Sequence, residues 1–233
     1  MTNNTPADDT DEVMKELERE LKRVEIRKTL AEAEEAEHQA ALTRSARLEE
    51  ERIRLYADAK KAERVYWFTY SVTSTSVTDC IDRLAAWHRT DIVDGREPTP
   101  FDIRFTSPGG SVLDGFALFD ELRRYSNMGH HITTTVQGVA ASMAGVLLQA
   151  GDHRVIGRDS RLHLHEPSAG QIGKMTEIGD THELLKGMFN QMLDIYAERS
   201  TLTKAEIKAK VERHEWWLTG AEAVEAGFAD EVA

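Results

Sequence analysis

The feature that most constrains this fold is a change of composition near residue 64. Of the first 64 residues, 30 are charged, and residues 11–64 contain neither glycine nor proline. Glu, Ala, Arg, Lys and Leu dominate this segment, and all of them are good helix formers. The remaining residues carry fewer charges and more regular apolar runs. We therefore predict a charged helical extension with a disordered start over 1–63 and a globular domain over 64–233.

The extension carries one short apolar seam. Met14, Leu17, Leu21 and Val24 follow the 3-4-3 spacing that is typical of a coiled coil, but the next two seam positions are a lysine and an alanine. Fewer than three clean heptads are visible. The spacing leaves two interpretations open: a solvated single helix, or a coiled coil or docking arm for a partner.

Composition disfavours several classes of protein. None of the 233 residues lies in an apolar run of about 18, which a membrane-spanning helix requires. The polar N-terminus lacks the features of a secretory signal, and a single cysteine, Cys80, cannot form a disulfide within the chain. The formal net charge of −12 argues against nucleic acid or an anionic membrane as a partner. We expect a cytoplasmic protein with neither of these partners.

After residue 64, strand-like and helix-like segments alternate. Residues 65–72 are β-branched and aromatic, which indicates a buried strand. Residues 76–88 place apolar side chains on one helical face. The alternation predicts an α/β domain with helices packed on a sheet. Further strands are predicted at 102–105, 132–136, 154–156 and 162–164, and further helices after residue 110 and at 140–150, 174–199, 203–214 and 221–226.

Two segments could carry chemistry on backbone N–H groups or on a serine. Ser107–Ser111 reads Ser-Pro-Gly-Gly-Ser after a strand. Adjacent glycines can expose N–H groups to an oxyanion or phosphate, although a plain turn needs similar residues. Ser142 lies among small residues where a strand meets an apolar helix. It could be a nucleophile at a helix N-terminus, or an N-cap or packing residue. Ala140 excludes the Gly-x-Ser-x-Gly elbow of α/β-hydrolases.

His163 and His165 lie on the same side of a predicted strand. Two histidines on one face could bind a metal, but no third ligand can be placed, so we predict neither a metal nor a cofactor. A nucleophilic serine needs a base and backbone oxyanion donors. Ser142, His165 and Gly109 would supply these if the fold brings them together.

Four segments together resemble the Clp protease proteolytic subunit family, ClpP, in order and rough spacing. They are Phe105–Val112, Gly138–Gly145, Ser160–Pro167 and Leu218–Asp230. The resemblance covers about residues 64–233. It implies an α/β, ClpP/crotonase-like fold with the long charged helix added at the N-terminus. It also implies serine endopeptidase activity on protein or peptide substrates, and a homo-oligomer of stacked rings.

The same resemblance implies a role for each matched residue. Ser142 matches the nucleophile, and His165 matches the general base. The remaining matches are Gly109 and Met143 for the N–H groups of the oxyanion hole, and Ser111 and Val112 for the edge that pairs with an extended substrate.

The acid that orients the family's histidine has no obvious counterpart. Counting back from the C-terminal motif leads to Val211, and aligning the preceding helix leads to Lys210, neither of which can orient a histidine. Glu212 is adjacent to Val211, and Glu215 lies one helical turn away. We predict Glu212 as the third member, with Glu215 as the alternative. A serine–histidine dyad without an acid would keep reduced activity.

The flanks of the domain depart from the resemblance. The charged helix occupies the place of the family's pore hairpin, which meets an unfoldase ring, so we do not expect an ATPase partner. ClpP-like proteases that mature phage heads share the core and a tryptophan-rich closing motif like Trp216–Thr219. We therefore predict a head-maturation peptidase, with phage capsid or scaffold proteins as partners, in the cytoplasm of a bacterium or a phage-infected cell. The alternative is a housekeeping ATP-dependent Clp subunit.

Other functions on the same fold remain open. An acyl-CoA hydratase or isomerase of the crotonase type uses a similar oxyanion hole but has no need of a serine. A catalytically weak assembly protein would account for the missing aspartate and the long helix. The helix could also be removed by self-cleavage, which would leave a mature chain beginning between residues 40 and 66. We expect the apolar helix at 174–199 to stack the rings.

Overall fold

The computed structural model describes residues 6–168, 170 and 172–233, without the side chains of 6–13 and 53–62. The chain divides into two compact units, Met1–Glu63 and Arg64–Ala233. The predicted disordered start falls partly on residues 1–5, which lie outside the described residues. From Pro6 onward the chain is helical.

The first unit is a single helix, α1, which spans Pro6–Ala62. Every side chain described between residues 14 and 52 is exposed. The apolar seam is no exception, because Met14, Leu17, Leu21 and Val24 are 57–63% exposed. A helix of this kind is stabilised by local charge pairs or by a partner that covers its apolar stripe. The coiled coil stays a prediction.

The second unit is built on a seven-stranded sheet. Five strands lie side by side in the order β1, β2, β3, β4, β7, and all of them are parallel. Strand β5 pairs in parallel with the far end of β3, and β6 pairs antiparallel with β5. The strands are β1 Val65–Phe68, β2 Phe101–Ser107, β3 Ile132–Ala141, β4 His153–Ile156, β5 Arg161–Leu164, β6 Trp216–Thr219 and β7 Glu231–Val232.

Six helices accompany this sheet, and several have clear end signals. Thr73 and Ser76 form a capping box at the start of α2, and Gly95 ends that helix with a positive φ of 61°. Helix α2 therefore runs beyond the predicted residue 88, because no breaker precedes Gly95. The helices are α2 Ser74–Asp94, α3 Val112–Asn127, α4 Met143–Leu148, α5 Met175–Arg199, α6 Lys204–Val211 and α7 Gly220–Glu225.

The core lies between the sheet and the apolar faces of the helices. Alternate residues of β2 are buried, as expected for a strand with one face covered. Cys80 on α2 is completely buried among them, and burial raises the pKa of its thiol far above the ordinary value. Cys80 is therefore a core residue. None of the described helices is apolar over a stretch long enough to cross a membrane.

The predicted α/β class is confirmed, but three details differ. Strand β3 continues to Ala141, so the helix predicted from residue 140 begins only at Met143. Ser142 therefore lies at the junction of strand and helix. The short strands β6 and β7 were not predicted. Both are outer strands of the sheet, and their few residues carry little periodic signal.

Candidate active site

Ser142 lies on a sharp turn between β3 and α4. Its backbone has φ 54° and ψ −125°, a conformation that L-residues other than glycine rarely adopt. Its N–H donates to the carbonyl oxygen of His163 at 2.9 Å. Although Ser142 occupies the N-cap position of α4, its side chain makes no capping hydrogen bond. The hydroxyl is therefore not used to cap the helix, and strained backbone of this kind is typical of functional sites.

The glycine turn after β2 lies directly against Ser142. Gly109 has φ 88°, and a Cβ at this position would be 2.5 Å from the carbonyl oxygen of Ala141 and 2.7 Å from the Cβ of Ser142. The same Cβ would be 3.0 Å from the nitrogen of Met143. Only glycine fits here. The structure thus brings together three of the residues that the sequence singled out.

The N–H groups of this corner are not equally available. Met143 is the first residue of α4, so its N–H has no partner within the helix. The N–H of Gly109 donates to Ser107 Oγ at 3.2 Å, and that hydroxyl donates to the carbonyl oxygen of Tyr70 at 2.6 Å. The N–H of Gly110 makes no hydrogen bond with any described residue. The unengaged donor of the turn is therefore Gly110, where the sequence predicted Gly109.

The predicted substrate edge at Ser111 is not supported. Its N–H donates to the carbonyl oxygen of Val72 at 2.8 Å, and its own carbonyl accepts from the N–H of Gly115 at 3.0 Å. Its hydroxyl caps α3 by accepting from the N–H of Asp114. Each of these groups thus has one partner in this structure, and the pairing of Ser111 with an extended peptide stays a prediction. Val112 begins α3 and keeps one N–H without an intrahelical partner.

His165 lies at the same edge of the sheet as Ser142. Ala141 at the end of β3 is paired in parallel with His163 of β5, and His165 follows two residues later. Its side chain is 22% exposed. No hydrogen bond joins it to Ser142 in the described structure. Such contacts are often long in the absence of substrate and tighten when it binds.

The acid that lies beside His165 is Glu215, and the assignment of Glu212 as the third member stays a prediction. Glu215 Oε1 lies 3.9 Å from His165 Nδ1, whereas Glu212 follows α6 on the surface and makes no ion pair with His163 or His165 in the described structure. The reason is the register of β6. The last pair of the antiparallel ladder is Leu164 with Trp216, so His165 and Glu215 are the residues that directly adjoin that pair on the two strands. The sequence prediction counted along a helix, and the strand decides the position.

A tight turn delivers Glu215 to this place. Arg213 has a positive φ of 62°, and its N–H donates to Glu166 Oε2 at 3.0 Å. His214 closes the turn by donating its N–H to the carbonyl oxygen of Val211. Glu166, which follows His165, thus holds the loop that carries the acid. In the described part of the chain, no group of three or more His, Cys, Asp or Glu side chains is arranged to hold a metal.

His163 lies behind His165, and the sequence analysis considered it only as a metal ligand. Its ring stacks on Trp217 with centroids 4.0 Å apart and faces His165 at 5.0 Å. Its Nε2 lies 2.5 Å from Glu215 Oε2, but the oxygen is out of line with the ring N–H, so the contact is an ion-pair distance without hydrogen-bond geometry. Burial lowers the pKa of His163, and Glu215 opposes this shift.

Comparison with known proteins gives one family. A model of the family described as Clp protease matches residues 48–233. The chain is 34% identical over 178 residues to the ATP-dependent Clp protease proteolytic subunit 1 of Chlamydia pneumoniae, which covers 74% of this chain and 87% of the relative. It is 37% identical over 128 residues to proteolytic subunit 2 of Tropheryma whipplei, covering 54% and 69% of the two chains.

Proposed function

The chain belongs to the Clp protease family of serine peptidases, and from that premise we propose that it is an endopeptidase whose nucleophile is Ser142. The observation that carries this is the strained turn at Ser142. Its hydroxyl caps no helix, and it lies against the glycine turn at the sheet edge that also holds His165. A serine with a purely structural role would not need this conformation.

The proposed reaction follows from the groups at this edge. His165 takes the proton of the Ser142 hydroxyl as the oxygen attacks the peptide carbonyl. The N–H groups of Met143 and Gly110 stabilise the negative charge of the tetrahedral intermediate. His165 then passes the proton to the leaving amine, which releases one product and leaves an acyl ester on Ser142. Water, activated by His165, hydrolyses that ester and restores the enzyme.

Glu215 takes the part of the orienting acid in this proposal. Its carboxylate beside Nδ1 would hold the His165 ring with Nε2 toward Ser142 and would stabilise the imidazolium that forms. Glutamate is longer than aspartate, so it reaches the histidine from the start of β6. The distance of 3.9 Å must shorten for a hydrogen bond to form.

The oligomeric state and the biological role of the chain are further parts of the proposal. Clp proteases generally act as oligomeric rings on protein substrates, and we propose the same for this chain. The first half of α5 supports this, because Met175, Ile178 and Leu184 are 90%, 43% and 58% exposed. Apolar side chains in such numbers indicate a surface that another copy covers.

The biological role is proposed from the features that flank the peptidase core. The relatives are named as ATP-dependent subunits, and processing of phage capsid or scaffold proteins is favoured here by the long helix α1 and by the closing motif Trp216–Thr219. Cytoplasmic location and the absence of an ATPase partner stay predictions on the same basis.

Intact-mass analysis with a fluorophosphonate probe tests the nucleophile. Wild-type protein should gain one adduct and the Ser142→Ala variant none, while the variant keeps the elution volume of the wild-type oligomer. The same spectra report whether active protein is shortened to a chain that begins between residues 40 and 66, as self-cleavage predicts. Hydrolysis of a peptide substrate that persists in Ser142→Ala would contradict the proposal. A wild-type protein that stays unlabelled while folded would favour the assembly protein.

A further inference from the structure

We propose that His163 is a positioning residue that holds the Glu215 carboxylate beside His165. The inference rests on the proposed peptidase mechanism, in which Glu215 orients the general base. It adds a second histidine that touches neither substrate nor nucleophile and acts through the acid. The proposal thus links three side chains through two contacts, one between His163 and Glu215 and one between Glu215 and His165.

Glu215 needs such a partner because nothing else described at the site fixes its carboxylate. Its side chain is 64% exposed, and its ion pairs among the described residues are those with His163 and His165. A glutamate with this exposure has several rotamers open to it in water. One oxygen must be anchored if the other is to stay near His165 Nδ1.

His163 is suited to be that anchor because its own position is fixed. It lies on β5, its side chain is only 8% exposed, and its ring is held between those of Trp217 and His165 with interplanar angles of 11° and 17°. Its partner atom, Nε2, is buried and forms no hydrogen bond with good geometry. A buried polar nitrogen aimed at one carboxylate is a specific contact rather than a solvated one.

The chemistry of the contact assigns the proton. Two lone pairs repel each other at 2.5 Å, so the proposal requires that Nε2 of His163 carries a hydrogen that can be donated to Glu215 Oε2 once the two groups are aligned. The second oxygen, Oε1, is then left on the side of His165 Nδ1. A small rotation of the carboxylate would straighten the first contact and shorten the second. Both histidines can therefore donate to the same carboxylate at once.

Two substitutions distinguish a positioning role of His163 from a packing role. His163→Gln keeps an N–H donor close to the place of Nε2 but loses the ring stack. His163→Phe keeps the ring stack but has no donor. We expect His163→Phe to lower kcat about tenfold with KM within about twofold, as for a misplaced catalytic group, and His163→Gln to recover most of the loss. A packing role predicts the opposite order.

A double-mutant cycle checks that the effect passes through the acid. In the Glu215→Gln background, His163→Phe should change kcat by less than about twofold, because the anchored group is no longer a carboxylate. A tenfold loss that persists in this background would overturn the proposal.

A readout without turnover separates this inference from the proposed function. In Ser142→Ala protein, NMR of the His165 ring should show an Nδ1 proton shifted downfield by the carboxylate. The shift should be retained in His163→Gln and lost in His163→Phe. Equal spectra for the two variants would overturn the positioning role, even if wild-type activity depends on Ser142. Conversely, the expected spectra would support the positioning role of His163 even if no Ser142-dependent hydrolysis were found.

Discussion

Strands β2 and β3 have a group of polar side chains at each end, and the two groups are built differently. At the amino end, which we call the amino-end cluster, Arg64 donates two hydrogen bonds to Asp91 at 2.7 and 2.5 Å. Asp91 also accepts from the N–H and hydroxyl of Thr99 at 3.0 Å. His130 bonds the carbonyl oxygen of Thr99 at 2.8 Å and the ring of His88 at 2.9 Å. These polar groups are paired and largely buried.

At the carboxyl end the contacts are fewer and strained. Ser142 has an unfavourable backbone conformation, and its hydroxyl is not used as a cap. Glu215 is mostly exposed, and its contact with His165 is longer than a hydrogen bond. The N–H of Gly110 has no partner among the described residues. Satisfied polar groups stabilise a fold, and groups left open are the ones that chemistry can use. The comparison predicts that substitutions at the two ends have opposite effects on stability and activity.

Breaking the buried ion pair of the amino-end cluster should have the largest effect. Arg64 and Asp91 are 5% and 3% exposed in their side chains. Asp91→Asn leaves the guanidinium buried without a countercharge, so we expect a loss of about 3–5 kcal/mol in the free energy of unfolding. Chemical denaturation measures it. Activity per folded molecule should be unchanged. Asp94 is on the same helix as Asp91 and forms an exposed ion pair with Arg96. Asp94→Asn should lower the free energy of unfolding by less than about 1 kcal/mol.

Replacing the acid at the other end should show the reverse pattern. We expect Glu215→Gln to lower kcat about 100-fold, or about 2.7 kcal/mol of transition-state stabilisation, because His165 loses the charge that stabilises its imidazolium. Stability should change by less than about 1 kcal/mol, since the side chain is 64% exposed. Peptide hydrolysis and thermal unfolding measure the two effects. Glu212→Gln is the matched control, and an equal loss of kcat in that variant would return the role to Glu212.

The sequence predicted the two ends unequally well. Ser142 and His165 can be proposed from the sequence alone because both lie within continuous motifs next to strand ends. Glu215 was given second place because its position depends on the pairing of β6 with β5, a long-range register that local periodicity does not contain. The proposed use of the Gly110 N–H in place of the Gly109 N–H has a related origin, because the choice between these adjacent groups depends on which one Ser107 occupies. The amino-end cluster was not predicted, because it joins residues from α2 with residues that precede β1, β2 and β3.

The pH dependence of stability should reflect the amino-end cluster through His130. Burial lowers the pKa of His130, and the hydrogen bond to the Thr99 carbonyl opposes that shift. As the pH falls below about 6.5, the unfolded chain takes up this proton before the folded one. The stability contributed by neutral His130 is thus complete above that pH. It is lost as the pH falls toward the folded-state pKa.

Denaturation at pH 7.5 and 5.5 tests this contribution. One titrating group can change the free energy of unfolding by at most about 1.4 kcal/mol per pH unit. His130→Gln keeps a donor but takes up no proton, so the difference between the two pH values should shrink. His131→Gln, at the exposed neighbouring histidine, should leave the difference as in the wild type. An unchanged difference in His130→Gln would assign the acid sensitivity to other groups.

Relief of backbone strain at Ser142 should give the smallest change in the free energy of unfolding, and the direction of that change is the informative result. At Ser142, with φ 54°, glycine avoids the steric cost that a Cβ incurs, on the order of 1–3 kcal/mol. Glycine also costs about 0.5–1 kcal/mol of chain entropy relative to alanine. Ser142→Gly should therefore be about 1 kcal/mol more stable than Ser142→Ala, although both lack the nucleophile. At Ala117, exposed in the middle of α3, alanine should be the more stable residue by about 1 kcal/mol. The same order at both positions would mean that Ser142 stores no strain, and the contrast between the two ends of the sheet would then rest on hydrogen bonding alone.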